Sequence, residues 1–247
     1  MLEVKNIKKT FKDTVLDNVS FSVPAGSNIA VLGPSGSGKS TLLNCITGFE
    51  SPDCGQIIVN GLDITTLSSN KRPLGMVFQN FSLFPNMTAY ENIAYPLRVK
   101  GKDLSPVNDV LKVIGMEEHA NKLPKQLSGG QQQRVAIARA LVYNPDVILM
   151  DEPLASLDLK LRIRLQKDIK QLLKDTTVIY VTHDFTEAFN MCDTIVIMNK
   201  GKVEQIGSPT EILDKPRSDF VNEFVCETWK DYTSSIFSSN ILSTAVR

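Results

Sequence analysis

The chain carries no net charge. Lysine and arginine together number 27, aspartate and glutamate 27, and the formal balance is +0. A balanced chain offers no broad basic face, so capture of DNA or RNA through phosphate attraction is not expected, and no nucleic-acid partner is assigned. Long apolar runs are missing too. None approaches the roughly 20 residues that carry a helix across a bilayer. The longest, such as residues 147–150, have the length of buried strands. Glu3 and Lys5 stand near the start with no apolar stretch behind them, which argues against a secretory leader. The cysteines, Cys45, Cys54, Cys192 and Cys226, form no C-x-x-C pair and have no matching histidine cluster, so a zinc framework is not expected. They read as reduced thiols of a cytoplasmic protein. No internal repeat is present. Work at a membrane would have to pass through a partner.

What is present is enough apolar material for a core: 42% of 247 residues. That suits one large domain, or a domain with a subdomain. Residues 4–11 read as a first strand and 19–23 as a second, with Pro24-Ala25-Gly26 turning the chain. The apolar run 28–32 leads into a Gly- and Ser-rich loop, and 40–47 reads as a helix. The stretch 85–144 is helical in pattern, punctuated by Pro106, Pro124 and Gly129-Gly130. Strand patterns return at 147–150, 178–181 and 195–198, with helix-like stretches at 161–173 and 187–191 between them. Strands alternating with helices predict an α/β fold with a largely parallel sheet. Residues 228–247 are rich in Ser and Thr without a clear period, which fits a loose tail or a short helix.

Gly33-Pro34-Ser35-Gly36-Ser37-Gly38-Lys39-Ser40-Thr41 fits the phosphate-loop pattern G-x-x-x-x-G-K-[ST]. Glycines let the backbone curl so that successive N–H groups face an anion. The helix that follows adds its positive dipole end. Lys39 can reach the β- and γ-phosphates, and the Ser40 hydroxyl can hold Mg²⁺. The bland alternative is a flexible Gly/Ser loop, but a strand before and a helix after favour the phosphate reading. Further along, the apolar run 147–150 ends in Asp151 and Glu152. Its strand is expected beside the one feeding the phosphate loop, so that both carboxylates face the same nucleotide. Asp151 can hold Mg²⁺, directly or through water. Glu152 can take a proton from an attacking water.

Five further segments complete the pattern. Phe11 lies near the N-terminus, and Gln79 follows Gly75-Met76-Val77-Phe78. Leu127-Ser128-Gly129-Gly130-Gln131 continues into Gln132-Gln133-Arg134. Ser156-Leu157-Asp158 comes soon after the acidic pair, and His183 follows Val178-Ile179-Tyr180-Val181-Thr182. In this order and spacing the chain resembles the nucleotide-binding domain of the ABC family, over about residues 2–216. The resemblance implies a P-loop NTPase core with a mostly parallel sheet, an N-terminal antiparallel β subdomain and a helical subdomain at about 85–144. The ATPase domain would then occupy 1–227 and the tail 228–247.

Ser128-Gly129-Gly130 has its own logic as a second anion site. It offers a hydroxyl and bare N–H groups at the start of a helix. By the resemblance, two chains pack head to tail, and the phosphate loop of one closes with the Ser128–Gln131 signature of the other on a single γ-phosphate. A homodimer, or a pair with a related ATPase, thus holds two ATP. The resemblance also assigns roles. Glu152 is the general base, and His183 keeps it and the attacking water in line with the γ-phosphate. Gln79 meets Mg²⁺ or that water, Asp158 works across the dimer interface, and Phe11 stacks on adenine. A core phenylalanine is the alternative for Phe11.

The resemblance also implies a transporter. ATP would close the dimer and hydrolysis would open it, driving two transmembrane permease subunits from the cytoplasmic face of the membrane. The segment 81–92 is unusually apolar for a loop. Its Phe81, Leu83, Phe84, Pro85 and Met87 are expected to form a socket for a helix of such a subunit, or else to pack internally. The segment resembles importer ATPases for polyamines, inorganic anions, iron(III) and sugars, which work with an extracytoplasmic solute-binding protein. An exporter, a lipid-extraction ATPase and a soluble ABC ATPase are the alternatives. Members of the importer group often carry a C-terminal regulatory β domain. The short stretch after Lys215 is expected to leave no room for one.

Overall fold

The computed structural model describes residues 1–155, 159–174 and 176–226. Two sheets organise them. The first is antiparallel, with β1 (Leu2–Thr10), β2 (Thr14–Val23), β4 (Cys54–Val59) and β5 (Leu62–Asp63) in the order β2-β1-β4-β5. Its inner face buries Leu2, Val4, Ile7, Leu16, Val19 and Ile57. The second contains β3 (Asn28–Leu32), β6 (Leu74–Val77), β7 (Val147–Asp151), β8 (Val178–Thr182), β9 (Thr194–Asn199) and β10 (Lys202–Gly207), in the order β10-β9-β3-β8-β7-β6. Its neighbours are parallel except for β10, which runs antiparallel to β9.

The central strands of this sheet are apolar on both faces because both faces are covered. Alternate residues serve different cores. Ala30, Leu32, Ile148, Met150, Val178 and Tyr180 point into one core, with Ala136, Leu165, Ile169 and Phe185 from helices. Ile29, Val31, Val147, Leu149, Ile179 and Val181 point into the other, with Leu42, Leu43 and Ile46 of α1 (Lys39–Thr47) and the antiparallel sheet. A third core joins α2 (Ala89–Val99), α3 (Pro106–Val113) and α4 (Gly129–Leu141) through Ile93, Leu97, Leu111, Val135 and Ala138. Each buried Val, Leu or Ile side chain among these stabilises the fold by about 1.5–3 kcal/mol. The remaining helices are α5 (Leu159–Leu172), α6 (Phe185–Met191) and α7 (Pro209–Asp214), and residues 219–226 are also helical.

One expectation is corrected. The strand ending in Asp151 does not lie beside the strand that feeds the phosphate loop. β8 stands between them, paired with β3 on one side and β7 on the other. Its five residues are all buried, and that composition suits the central slot. The register still levels the carboxyl ends: Val31 and Asp151 both pair with Val181. Residues 228–247 and Asp158 lie outside the described residues.

Candidate active site

The phosphate loop joins β3 to α1. Gly36 and Gly38 hold φ of 80° and 99°, backbone that residues with side chains rarely adopt. A Cβ on Gly38 would also fall 2.9 Å from both Leu16 Cδ2 and Val15 O. Gly38 is the N-cap of α1 and gives it no side-chain hydrogen bond. The first-turn N–H groups are thus open to an anion at the positive end of the helix.

Lys39 is buried, and its ammonium donates to the carbonyls of Gly33 at 2.7 Å and Pro34 at 3.0 Å. Burial pushes its pKa below the ordinary lysine value, while Glu152 and Asp151 pull it back up. Ser37 Oγ is buried with no hydrogen-bond partner. A buried ammonium and an orphaned hydroxyl around a glycine-rich turn fit a polyphosphate. Ser35, Gly36, Gly38, Lys39, Ser40 and Thr41 line a cleft of about 280 Å³ together with Val15 and Glu152. Val15 lies outside the second strand expected at 19–23, because β2 starts earlier, at Thr14. The apolar Val15-Leu16 pair was the signal that it starts earlier.

Glu152 follows β7 with φ of 43°, in the left-handed region that is uncommon for a residue with a side chain. Its N–H is held by Val181 O at 2.9 Å. Its carboxylate is flanked on both oxygens. His183 Nδ1 lies 3.0 Å from Oε1, and Gln79 Nε2 lies 3.4 Å from Oε2. These residues come from the carboxyl ends of three neighbouring strands, β6, β7 and β8, the edge where open α/β sheets bind ligands. Behind His183, Thr182 Oγ1 donates to the buried Glu187 at 2.9 Å. Asp184 caps α6 by accepting from the Thr186 N–H at 2.8 Å. The chain on both sides of His183 is therefore fixed.

Asp151 has its pKa raised by burial and by the charge of Glu152, with Lys39 opposing. Its carboxylate, the Ser40 hydroxyl and the Gln79 amide are hard oxygen donors of the kind Mg²⁺ takes. Among the described residues no group of three or more His, Cys, Asp or Glu could hold a metal alone. A magnesium ion there would need phosphate oxygens for part of its shell, which is its usual habit.

Phe11 lies just past β1 and is 56% exposed, so it is not a core residue. Lys9 Nζ sits 5.1 Å from the ring centroid. Ser128 is the N-cap of α4 in a reciprocal capping box: its Oγ accepts from the Gln131 N–H at 3.3 Å, and Gln131 Oε1 accepts from the Ser128 N–H at 2.9 Å. The Ser128 hydroxyl proton and the Gly129 and Gly130 N–H groups are left facing outward from the helix end. None of Leu127–Gln131 lines the cleft around Lys39. The structure thus brings Gln79, Glu152 and His183 together and sets the signature apart from them.

The ABC transporter family model matches residues 16–155. The chain belongs to the ABC transporter family. It is 48% identical to a spermidine/putrescine import ATP-binding protein, PotA, of Protochlamydia amoebophila, over 91% of this chain and 62% of that protein. It is 47% identical to PotA of Thermotoga maritima, over 92% of this chain and 64% of that protein. With the sulfate/thiosulfate import ATP-binding protein CysA of Pectobacterium atrosepticum it shares 43% identity, over 91% of this chain and 71% of that one. The chain thus spans a little under two thirds of the PotA relatives. Among solved structures it is similar to the dimeric, ADP- and Pi-bound ATP-binding cassette MJ0796, at 36% identity and a TM-score of 0.73, covering 85% of this chain and 99% of that one.

The two alternatives for the segment 81–92, a socket or internal packing, divide between its residues. Phe81 and Leu83 do not face outward. Phe81 belongs to the main core, and Leu83 packs against that core and the third one. Phe84 is half-buried, its ring 4.4 Å from that of Tyr95. Pro85 is exposed and Met87 half-exposed. Asn92, fully buried, accepts from the Phe84 N–H at 2.8 Å and donates to the carbonyls of Phe84, Met87 and Thr88 at 3.2, 3.0 and 3.1 Å. The loop is therefore a rigid surface. Among the described residues, no helix is long and apolar enough to cross a membrane.

Proposed function

We propose that this chain binds and hydrolyses ATP as one half of a head-to-tail dimer, and that this cycle powers an importer. The observation that carries the reading is the placement of Glu152 between Gln79 and His183 at the mouth of the Lys39 cleft. Lys39 and the loop N–H groups bind the phosphates, and Phe11 takes the adenine face. Water attacks the γ-phosphorus, forming an O–P bond as the bond to the β–γ bridging oxygen breaks and ADP leaves. Glu152 accepts the proton that the water gives up. His183 and Gln79 hold that carboxylate in line. Ser40, Asp151 and Gln79 would hold Mg²⁺, which neutralises phosphate charge when bound. Ser128, Gly129, Gly130 and Gln131 serve the nucleotide of the partner chain, with Asp158 at the interface.

The partners follow from the same reading. A dimer that opens and closes does work only when attached to something. The exposed part of the Pro85–Met87 surface is the proposed seat for two membrane permease subunits at the cytoplasmic face, with a solute-binding protein on the far side. Cargo is a separate matter. Relatives at similar identity are named for import of spermidine and putrescine, which are cations, and of sulfate, an anion. Opposite charges on similar cassettes support the reading that cargo is chosen by other chains.

The test is a steady-state ATPase assay on the purified chain with Mg²⁺, paired with sedimentation of the Glu152→Gln variant with and without ATP. Turnover by the native chain and an ATP-dependent dimer of the variant support the reading. Turnover by a strictly monomeric chain overturns the shared site.

A further inference from the structure

The turn that carries Gln79 is an unusual piece of backbone. Phe81 and Ser82 are consecutive and both left-handed, with φ of 62° and 45°, and neither is glycine. Such a pair is costly and persists only where its surroundings hold it. Part of the hold is local: the Phe81 N–H donates to Phe78 O at 3.0 Å, closing the turn around Gln79, and the Ser82 N–H donates to Asn80 O at 2.7 Å.

The rest comes from one guanidinium on α4. Arg139 donates from one amino group to Phe81 O at 2.9 Å and from the other to Ser82 O at 2.8 Å. Its Cζ lies 5.5 Å from the centroid of Phe84. The two carbonyls it grips belong to the two left-handed residues themselves. Burial lowers the Arg139 pKa from the ordinary value, in keeping with a desolvated cation that needs these acceptors. The planar fork sends a separate amino group to each carbonyl at a fixed spacing, whereas a lysine ammonium would have to serve both from one point on a differently shaped side chain.

We propose that Arg139 is a positioning residue for the active site. It holds the Phe81–Ser82 turn in its left-handed form, and so sets Gln79 against Glu152, while tying this turn to the helix that begins at Ser128. The proposal rests on the ATPase reading above. Nothing in the phosphate-loop or signature patterns points to Arg139, which is not among the residues that line the Lys39 cleft.

The test is a double-mutant cycle on the full chain, read as kcat and KM for ATP. Arg139→Lys keeps the charge and loses the fork. It is expected to lower kcat by roughly 10-fold with KM changed less than about 2-fold. In a Gln79→Ala background the same change is expected to lower kcat by less than about 2-fold, because its route is already cut. Ser82→Gly, which makes left-handed backbone free of strain, is expected to restore much of the kcat lost in Arg139→Lys. An equal loss of kcat with and without Gln79, or no rescue by Ser82→Gly, overturns the proposal and leaves Arg139 a structural residue. Thermal melts of each variant separate lost turnover from lost fold. A native chain without ATPase activity would instead sink the ATPase reading itself, so the two failures are distinct.

Discussion

His183 Nδ1 and Glu152 Oε1 are 3.0 Å apart, and the other oxygen of the same carboxylate faces Gln79 Nε2 at 3.4 Å. Glu152 is therefore restrained from both sides before any substrate is considered. A carboxylate held in this way has lost the rotamers in which it would miss a water above the phosphate loop.

Glu152→Gln keeps the shape and both neighbours but removes the proton acceptor. Turnover is expected to fall by roughly 10²–10⁴-fold, the usual worth of a positioned general base. ATP affinity should stay within a few-fold of native, and the variant should accumulate as an ATP-bound dimer. Phosphate release and light scattering on the same sample check this. Turnover near the native rate rejects Glu152 as the base.

Ser128→Arg probes the other half of the proposed site. The substitution removes the capping hydroxyl, at a cost of about 1 kcal/mol to the start of α4, and puts bulk where a partner's phosphate would sit. Hydrolysis should be nearly abolished. ATP binding to the isolated chain should be intact, since no residue of the signature lines the Lys39 cleft. A fluorescent ATP analogue read by anisotropy separates the two. Loss of binding by the monomer would place Ser128 in the same chain's site.

Much of this chemistry was legible because it is local. The phosphate loop and the Asp151-Glu152 pair each sit in one short window, and the geometry they need is built by glycine spacing or by a strand end. Strand order was not legible. β8 sits between β3 and β7 because it pairs with β3 across more than a hundred residues of chain, and the run Val178–Thr182 contains nothing that names its neighbours. The inward turn of Phe81 was hidden for a similar reason. It depends on left-handed backbone at non-glycine residues and on an arginine 57 and 58 residues away.

Asp151 yields a prediction with a definite sign. Burial, and then the charge of Glu152, raise its pKa. An acid with a raised folded pKa binds its proton better in the folded chain than in the unfolded one. Its contribution to stability is full below the ordinary aspartate value and is lost as pH rises through the raised value. Near neutral pH the ionised side chain is thus a cost to the fold. Asp151→Asn is expected to raise Tm by roughly 2–4 °C at mildly alkaline pH. The gain should shrink as pH falls toward the ordinary aspartate range, and hydrolysis should be lost. Calorimetry across pH decides it, and an unchanged or lower Tm in alkali refutes the burial argument.

The proposed membrane contact is best probed at Met87. Phe84 is a poorer probe, because its ring already packs on Tyr95 and lies under Arg139, so a charge there would disturb the fold and the Gln79 turn together. Met87 is half-exposed, and its hydrogen bonds are main-chain: its N–H to Phe84 O, and its carbonyl from Asn92. Met87→Glu leaves those bonds in place and sets a carboxylate on the apolar surface. Desolvating an unpaired charge at an interface costs several kcal/mol, so capture of the permease subunits in detergent should drop at least about 10-fold. ATPase activity of the isolated chain should be unchanged. An unaltered complex with the permease would show that the seat lies elsewhere on this face, while a parallel loss of basal ATPase would show that the loop cannot be altered without moving Gln79.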